Sequence, residues 1–183
     1  ANNDVGVLAI ASPSGNVSFA EANGFQIGQV VGLGDFNTTT GVSAGFPNIV
    51  TFNAGGQVTQ ASGAAVSVTG LELLGASGDY RLTDGNNTIT TIAGNTSLVQ
   101  FTNNDTLDVG TVGGTTGLRT AGANGAVLSG TLITLSQDVN AGTGAVRLVA
   151  STGSVTQPGG NIIAGNLGVR AVSQITLTSA NNN

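Results

Sequence analysis

The chain has 183 residues, of which only 7% are charged, against about 25% in typical soluble domains; its net charge is −5 and its pI is near 4.1. All four basic residues are Arg, at 81, 119, 147 and 170, and there is no Cys and no His. Four scattered Arg cannot supply the basic stripe that replaces phosphate counterions, which excludes a nucleic-acid partner, and zero Cys excludes a disulfide framework and a thiolate metal site.

The 39% of apolar residues, with so little charge, is the opposite of a disordered composition. No apolar run approaches the roughly 18 residues of a spanning helix, so no membrane insertion is expected. A membrane barrel would need aromatic girdles, and the chain has six Phe and one Tyr. No charged segment followed by an apolar core reads as a signal peptide.

From the start, Val5-Gly6-Val7-Leu8-Ala9-Ile10 is an apolar patch of strand length. Period-two triplets then recur: Val17-Ser18-Phe19, Phe25-Gln26-Ile27, Val66-Ser67-Val68, Val99-Gln100-Phe101, Leu107-Asp108-Val109, Val146-Arg147-Leu148 and Ile175-Thr176-Leu177. Alternate side chains of a strand point to opposite faces, so each triplet sends two residues inward and one outward. Each Arg adjoins an inward position, which puts its head in solvent. Gly, Asn, Ser and Thr separate the triplets and mark turns, and Pro13, Pro47 and Pro158 read as turn residues too. No window carries a 3.6-residue apolar stripe, so no helix is expected.

The pattern also repeats at long range. Gly56-Gln57-Val58-Thr59-Gln60 returns as Gly153-Ser154-Val155-Thr156-Gln157. Leu71 and Leu73 then match Leu167 and Val169, and Tyr80, Leu82, Asn86 and Asn87 match Ile175, Leu177, Asn181 and Asn182. Earlier, Val7, Ile10, Val17, Phe19, Phe25, Ile27 and Val30 match Ile89, Ile92, Val99, Phe101, Leu107, Val109 and Val112. Two imperfect units of roughly 80–97 residues result, 1–84 and 85–183, together one continuous solenoid fragment. The matched Asn-rich ends read as a window on a longer array. Segments 36–40 and 46–47 have no partner in the second unit.

A long repeat of short strands with few hairpin signals favours an all-β fold, a parallel β-helix (β-solenoid), over a sandwich or barrel. At ~20 residues per coil the longer unit corresponds to about five coils. Low charge fits, because like charges stacked in register repel. On the repeat, Phe19 and Phe101 are expected to be buried at the same coil position.

The elements G-x-V-T-Q (56–60 and 153–157), L-x-V (167–169), I-T-L-T-x-x-N-N (175–182), V-x-F-T-N (99–103), L-x-V-G-T-V-x-G (107–114), Gly117-Leu118 and I-x-L-x-Q-x-V-x-A-G-x-G-x-V-x-L (133–148) together resemble the repeat regions of giant filamentous-haemagglutinin-like exoproteins of bacteria. The resemblance implies a right-handed β-helix. It implies an extracellular, cell-surface protein acting in adhesion, biofilm and matrix formation, or as the carrier of a toxin tip. On it, this chain is expected to be a structural spacer or stalk module of a surface adhesin or matrix filament. Its expected partners are neighbouring repeat units of the same chain or head-to-tail copies. A second reading is a module that binds surface glycans or host proteins through an outward face, such as segment 32–55, with Phe36, Phe46 and Tyr80 as the aromatics in question and Tyr80 inward by its match to Ile175.

A third reading, a carbohydrate-active β-helix enzyme, needs clustered carboxylates with a basic partner. The nearest pair in sequence, Asp105 and Asp108, is expected on opposite sides of one strand, and there is no Lys or His to act as base. Asp84-Gly85-Asn86-Asn87 and Asn103-Asn104-Asp105 offer oxygens to calcium but match neither the EF-hand nor the nonapeptide calcium pattern. The chain is therefore read as a non-enzyme, with no catalytic, cofactor-binding or metal residue assigned and no cofactor expected.

Overall fold

The computed structural model describes residues 3–121 and 123–183. Among them there is no helix. One sheet of 19 strands, paired throughout in parallel, winds into a right-handed β-helix of about 8 turns. The alternation read from the sequence places the core. Val66, Val68, Val99, Phe101, Leu107, Val109, Val146 and Leu148 are buried, and the residue between each pair is exposed or half-exposed. All four Arg are exposed.

Stacked strands lie about 4.8 Å apart, so inward side chains form columns along the axis. One column runs Phe25, Val58, Tyr80, Val99, Ala126, Val146, Leu167. A second runs Phe19, Phe52, Leu73, Gly94, Leu118, Val139, Ile162. Beside it stand Val17, Val50, Leu71, Ile92, Val109 and Leu135. The columns merge into one hydrophobic cluster that crosses residue 84 without a break, because strands Val66–Leu82 and Thr88–Thr102 pair along most of their length. Full burial of each Leu, Val or Phe contributes about 1.5–3 kcal/mol.

A third, shorter ladder holds Ile10–Ser12, Val42–Ala44 and the first residues of Val66–Leu82 and Thr88–Thr102. It ends at Ile89. Above that point the cross-section changes. Thr91 and Ile92 pair with Leu107–Val109, while Gly94–Thr96 pair with Leu118–Thr120, so one strand feeds two. The side chain of Asn103 closes the short ladder. Its Oδ1 accepts from Ile89 N–H at 2.9 Å and its Nδ2 donates to Ile89 O at 3.0 Å, replacing a strand that is no longer there.

Two expectations are corrected. First, hairpins are present. Gln29–Val30 pairs antiparallel with Thr39–Thr40, and Thr111–Val112 with Thr115–Thr116. Both are excursions from the coil, which is why the column step from Phe25 to Val58 takes 33 residues and that from Val99 to Ala126 takes 27, against 20 from Ala126 to Val146. The second hairpin turns at Gly113-Gly114, with Gly113 at φ 59°, a conformation that glycine adopts freely. Val30 and Val112, matched in the sequence, each open one of these hairpins.

Second, matched residues do not stack. From Val58 the column climbs four steps to Val146, and Val155 lies on the next strand along the chain. From Phe19 it climbs three steps to Gly94, whereas Phe101 lies further along that same strand, stacked between Leu82 and Leu128. Phe19 and Phe101 therefore occupy different sides of the coil. The repeat is a whole number of coils plus one side, because its length is not a multiple of the coil length. Phe101 is buried, as expected, but Phe19 is half-buried, since it sits in the first coil with cover on one side only. Ile175, expected inward, is 48% exposed in the last coil for the same reason.

Candidate functional site

The matched Gln and Asn of the two repeats turn out to be each other's partners. Gln60 Nε2 donates to Asn87 Oδ1 at 2.6 Å, and Asn87 Nδ2 donates back to Gln60 Oε1 at 3.1 Å. Gln157 and Asn182 form the same reciprocal pair at 2.8 and 3.0 Å. In both, the Asn Oδ1 also accepts a backbone N–H, from Val66 and from Ile162, each at 2.8 Å. The Gln Oε1 accepts from Asp84 N–H in one and Ser179 N–H in the other. Each clamp ties a corner of one coil to the corner above it. Asn87 is fully buried, and a buried amide persists only when its donors and acceptors are met. The recurrence of V-T-Q with N-N was the available sequence signal for these clamps.

These corners also engage several of the oxygens considered for calcium. Asp84 accepts Gly63 N–H at 2.6 Å and Asn86 N–H at 2.8 Å. Those backbone donors, Asn86 first and Gly63 next, hold its carboxyl below the usual Asp value. Asn87 belongs to the clamp and Asn103 caps Ile89. Among the described residues no three His, Cys, Asp or Glu side chains are grouped to hold a metal.

The carboxylates considered for catalysis each accept a different backbone N–H. Asp105 lies in the turn before strand Leu107–Val109, not on it, and accepts Thr106 N–H at 2.7 Å. Asp108, on the strand, accepts Ser136 N–H at 3.3 Å. Two other carboxylates are buried against backbone. Glu21 accepts from Val5 and Asn23 N–H. Glu72 lies on an outward position, yet the Thr111–Thr116 hairpin folds over it. Its oxygens accept from Thr51 Oγ1 at 2.7 Å and Gly114 N–H at 3.2 Å, and Val112 is buried beside it against Gly70.

Of the three aromatics considered for ligand contact, Tyr80 is fully buried. Its hydroxyl donates to Leu74 O at 2.6 Å, with Phe52 O at 3.0 Å, and accepts from Ala54 N–H at 3.1 Å. Burial pushes its pKa well above the usual tyrosine value. Phe36 and Phe46 are exposed, Phe46 by 83%. Segment 32–55 is irregular only in part, since Ile49–Ala54 is a regular strand. Phe46 stands at the corner before that strand, beside a notch of about 270 Å³ whose wall includes Ser67, Thr69, Thr88, Thr90 and Asp105. No family model, curated protein or solved structure matches the chain.

Proposed function

We propose that this chain is a rigid spacer in the stalk of a secreted bacterial surface filament, serving adhesion or matrix formation. The observation that carries the reading is the unbroken inward columns. They make about 8 turns into one rod, roughly 40 Å long at about 4.8 Å per coil. A stack held by continuous ladders and interlocking corners resists bending better than domains joined by linkers. The axial ends support neighbouring coils, or a second copy, as its partners. Leu167 and Ile175 in the last coil are 46% and 48% exposed, and Phe19 in the first is half-buried. Each is the free end of a column, and the strand edges there are templates for further pairing. The test is to join two and three copies in tandem and measure their length by small-angle scattering. The spacer reading expects about 40 Å of straight rod per added copy. Lengths that grow as the square root of copy number, as for flexibly joined domains, would reject it. Labelling of intact source cells with an antibody against this segment tests the surface location, and label appearing only after permeabilisation would reject that.

A further inference from the structure

Apart from the two hairpins, the outer surface is interrupted where the short ladder stops. At that step Ser43, Ser67 and Thr88 lie in register on successive strands and present hydroxyls outward. The turn carrying Asp105 crosses above them, and the ring of Phe46 stands at the side. The result is a recess in the wall of the coil. We propose that this notch binds a neutral saccharide chain.

Four features argue for that chemistry. The recess is lined by hydroxyls, which both donate and accept, with one carboxylate that only accepts; this set complements the vicinal hydroxyls of a sugar. Phe46 is 83% exposed and offers an apolar ring face to the C–H face of a pyranose, the common division of a site into one apolar platform and a few placed polar groups. No Arg lines the recess, and its single formal charge is negative, so sulfated or carboxylated glycans are disfavoured. Thr69 Oγ1, at its wall, is one of two buried side-chain atoms without a hydrogen-bond partner among the described residues, and a ligand hydroxyl that draws it round by a χ1 rotation gives it one.

An extended peptide is the competing occupant, and the edge geometry opposes it. A peptide would enter by adding a strand above Thr88–Thr90. That edge is already closed, because Asn103 takes both the N–H and the C=O of Ile89.

The experiment is a titration of isotopically labelled protein, followed by NMR, with cellohexaose, maltohexaose and chitohexaose in turn. At least one is expected to give saturable shifts confined to Phe46, Thr69, Thr88, Thr90 and their neighbours, with a millimolar or tighter Kd. Phe46→Ala, an exposed position that leaves the core untouched, is expected to weaken binding at least about tenfold. Thr69→Val is expected to weaken it several-fold, while Phe36→Ala, on the hairpin, leaves it unchanged. The proposal is overturned if none of the three sugars saturates the notch signals at ~10 mM, or if the shifts are the same in Phe46→Ala. It is equally overturned if a heparin-derived hexasaccharide binds more tightly than every neutral one. None of these results bears on the rod length that tests the spacer reading.

Discussion

Removing the amide of Asn87 tests whether the corner clamps hold the coils together. Asn87→Ala deletes the reciprocal pair with Gln60 and leaves Val66 N–H without its acceptor, inside a corner where both residues are fully buried. Leu82 O and Thr102 O also lose a donor at 3.2 and 3.1 Å. A net hydrogen bond contributes about 1 kcal/mol, and a buried donor left unpaired costs about 1–3 kcal/mol, so the substitution is expected to cost about 3–4 kcal/mol. Asn182→Ala deletes the matching pair in the last coil, where the side chain is partly exposed and water replaces what is lost. It is expected to cost about 1 kcal/mol. Reversible urea unfolding gives both values, and hydrogen exchange at Val66 localises the first. Gln60→Ala and Asn87→Ala combined are expected to fall short of additivity by at least about 1 kcal/mol, since each removes the other's partner. A cost below about 1 kcal/mol for Asn87→Ala, or additivity within about 0.5 kcal/mol, would refute the clamp.

Phe101→Ala is expected to cost about 3–5 kcal/mol and Phe19→Ala at most about half as much, because the first is buried mid-rod and the second is half-buried in the first coil; equal costs in urea unfolding would mean that the two share one environment after all. Tyr80 is the only tyrosine, so absorbance near 295 nm reports it alone. Its folded pKa lies above the unfolded value of 10.0, so its contribution to stability is complete below about pH 10 and declines as pH rises beyond it; phenolate is expected only as the chain unfolds, and ionisation of the native state near pH 10 would contradict its burial. Glu72→Ala removes the carboxylate that Thr51 and Gly114 grip, and is expected to release the Thr111–Thr116 hairpin, seen as faster exchange at Gly114 with little change at Val99; unchanged exchange at Gly114 would show that Val112 packing alone holds the hairpin.

Sequence and fold divide along the range of the interactions concerned. Period-two alternation was legible because it depends only on neighbouring residues: Val146-Arg147-Leu148 must put Arg147 outside if its flanks are inside. Thus strand content, the inward set and the four solvent-facing Arg followed from local pattern, and the long repeat pointed to a solenoid. What the repeat aligned was less clear. Val58 and Val155 are equivalent within a strand yet lie on different sides of the coil, because stacking depends on the summed length of every corner and excursion between them. A hairpin at 29–40 or 111–116 alters that sum without disturbing any triplet. The clamps, the Asn103 cap and the notch beside Phe46 are likewise properties of adjacent coils, 14 to 27 residues apart in sequence where hydrogen bonds define them. Side-chain direction was thus decided locally by the pleat, whereas the identity of each axial neighbour emerged only when the whole chain was wound, since one extra residue in a corner shifts everything above it.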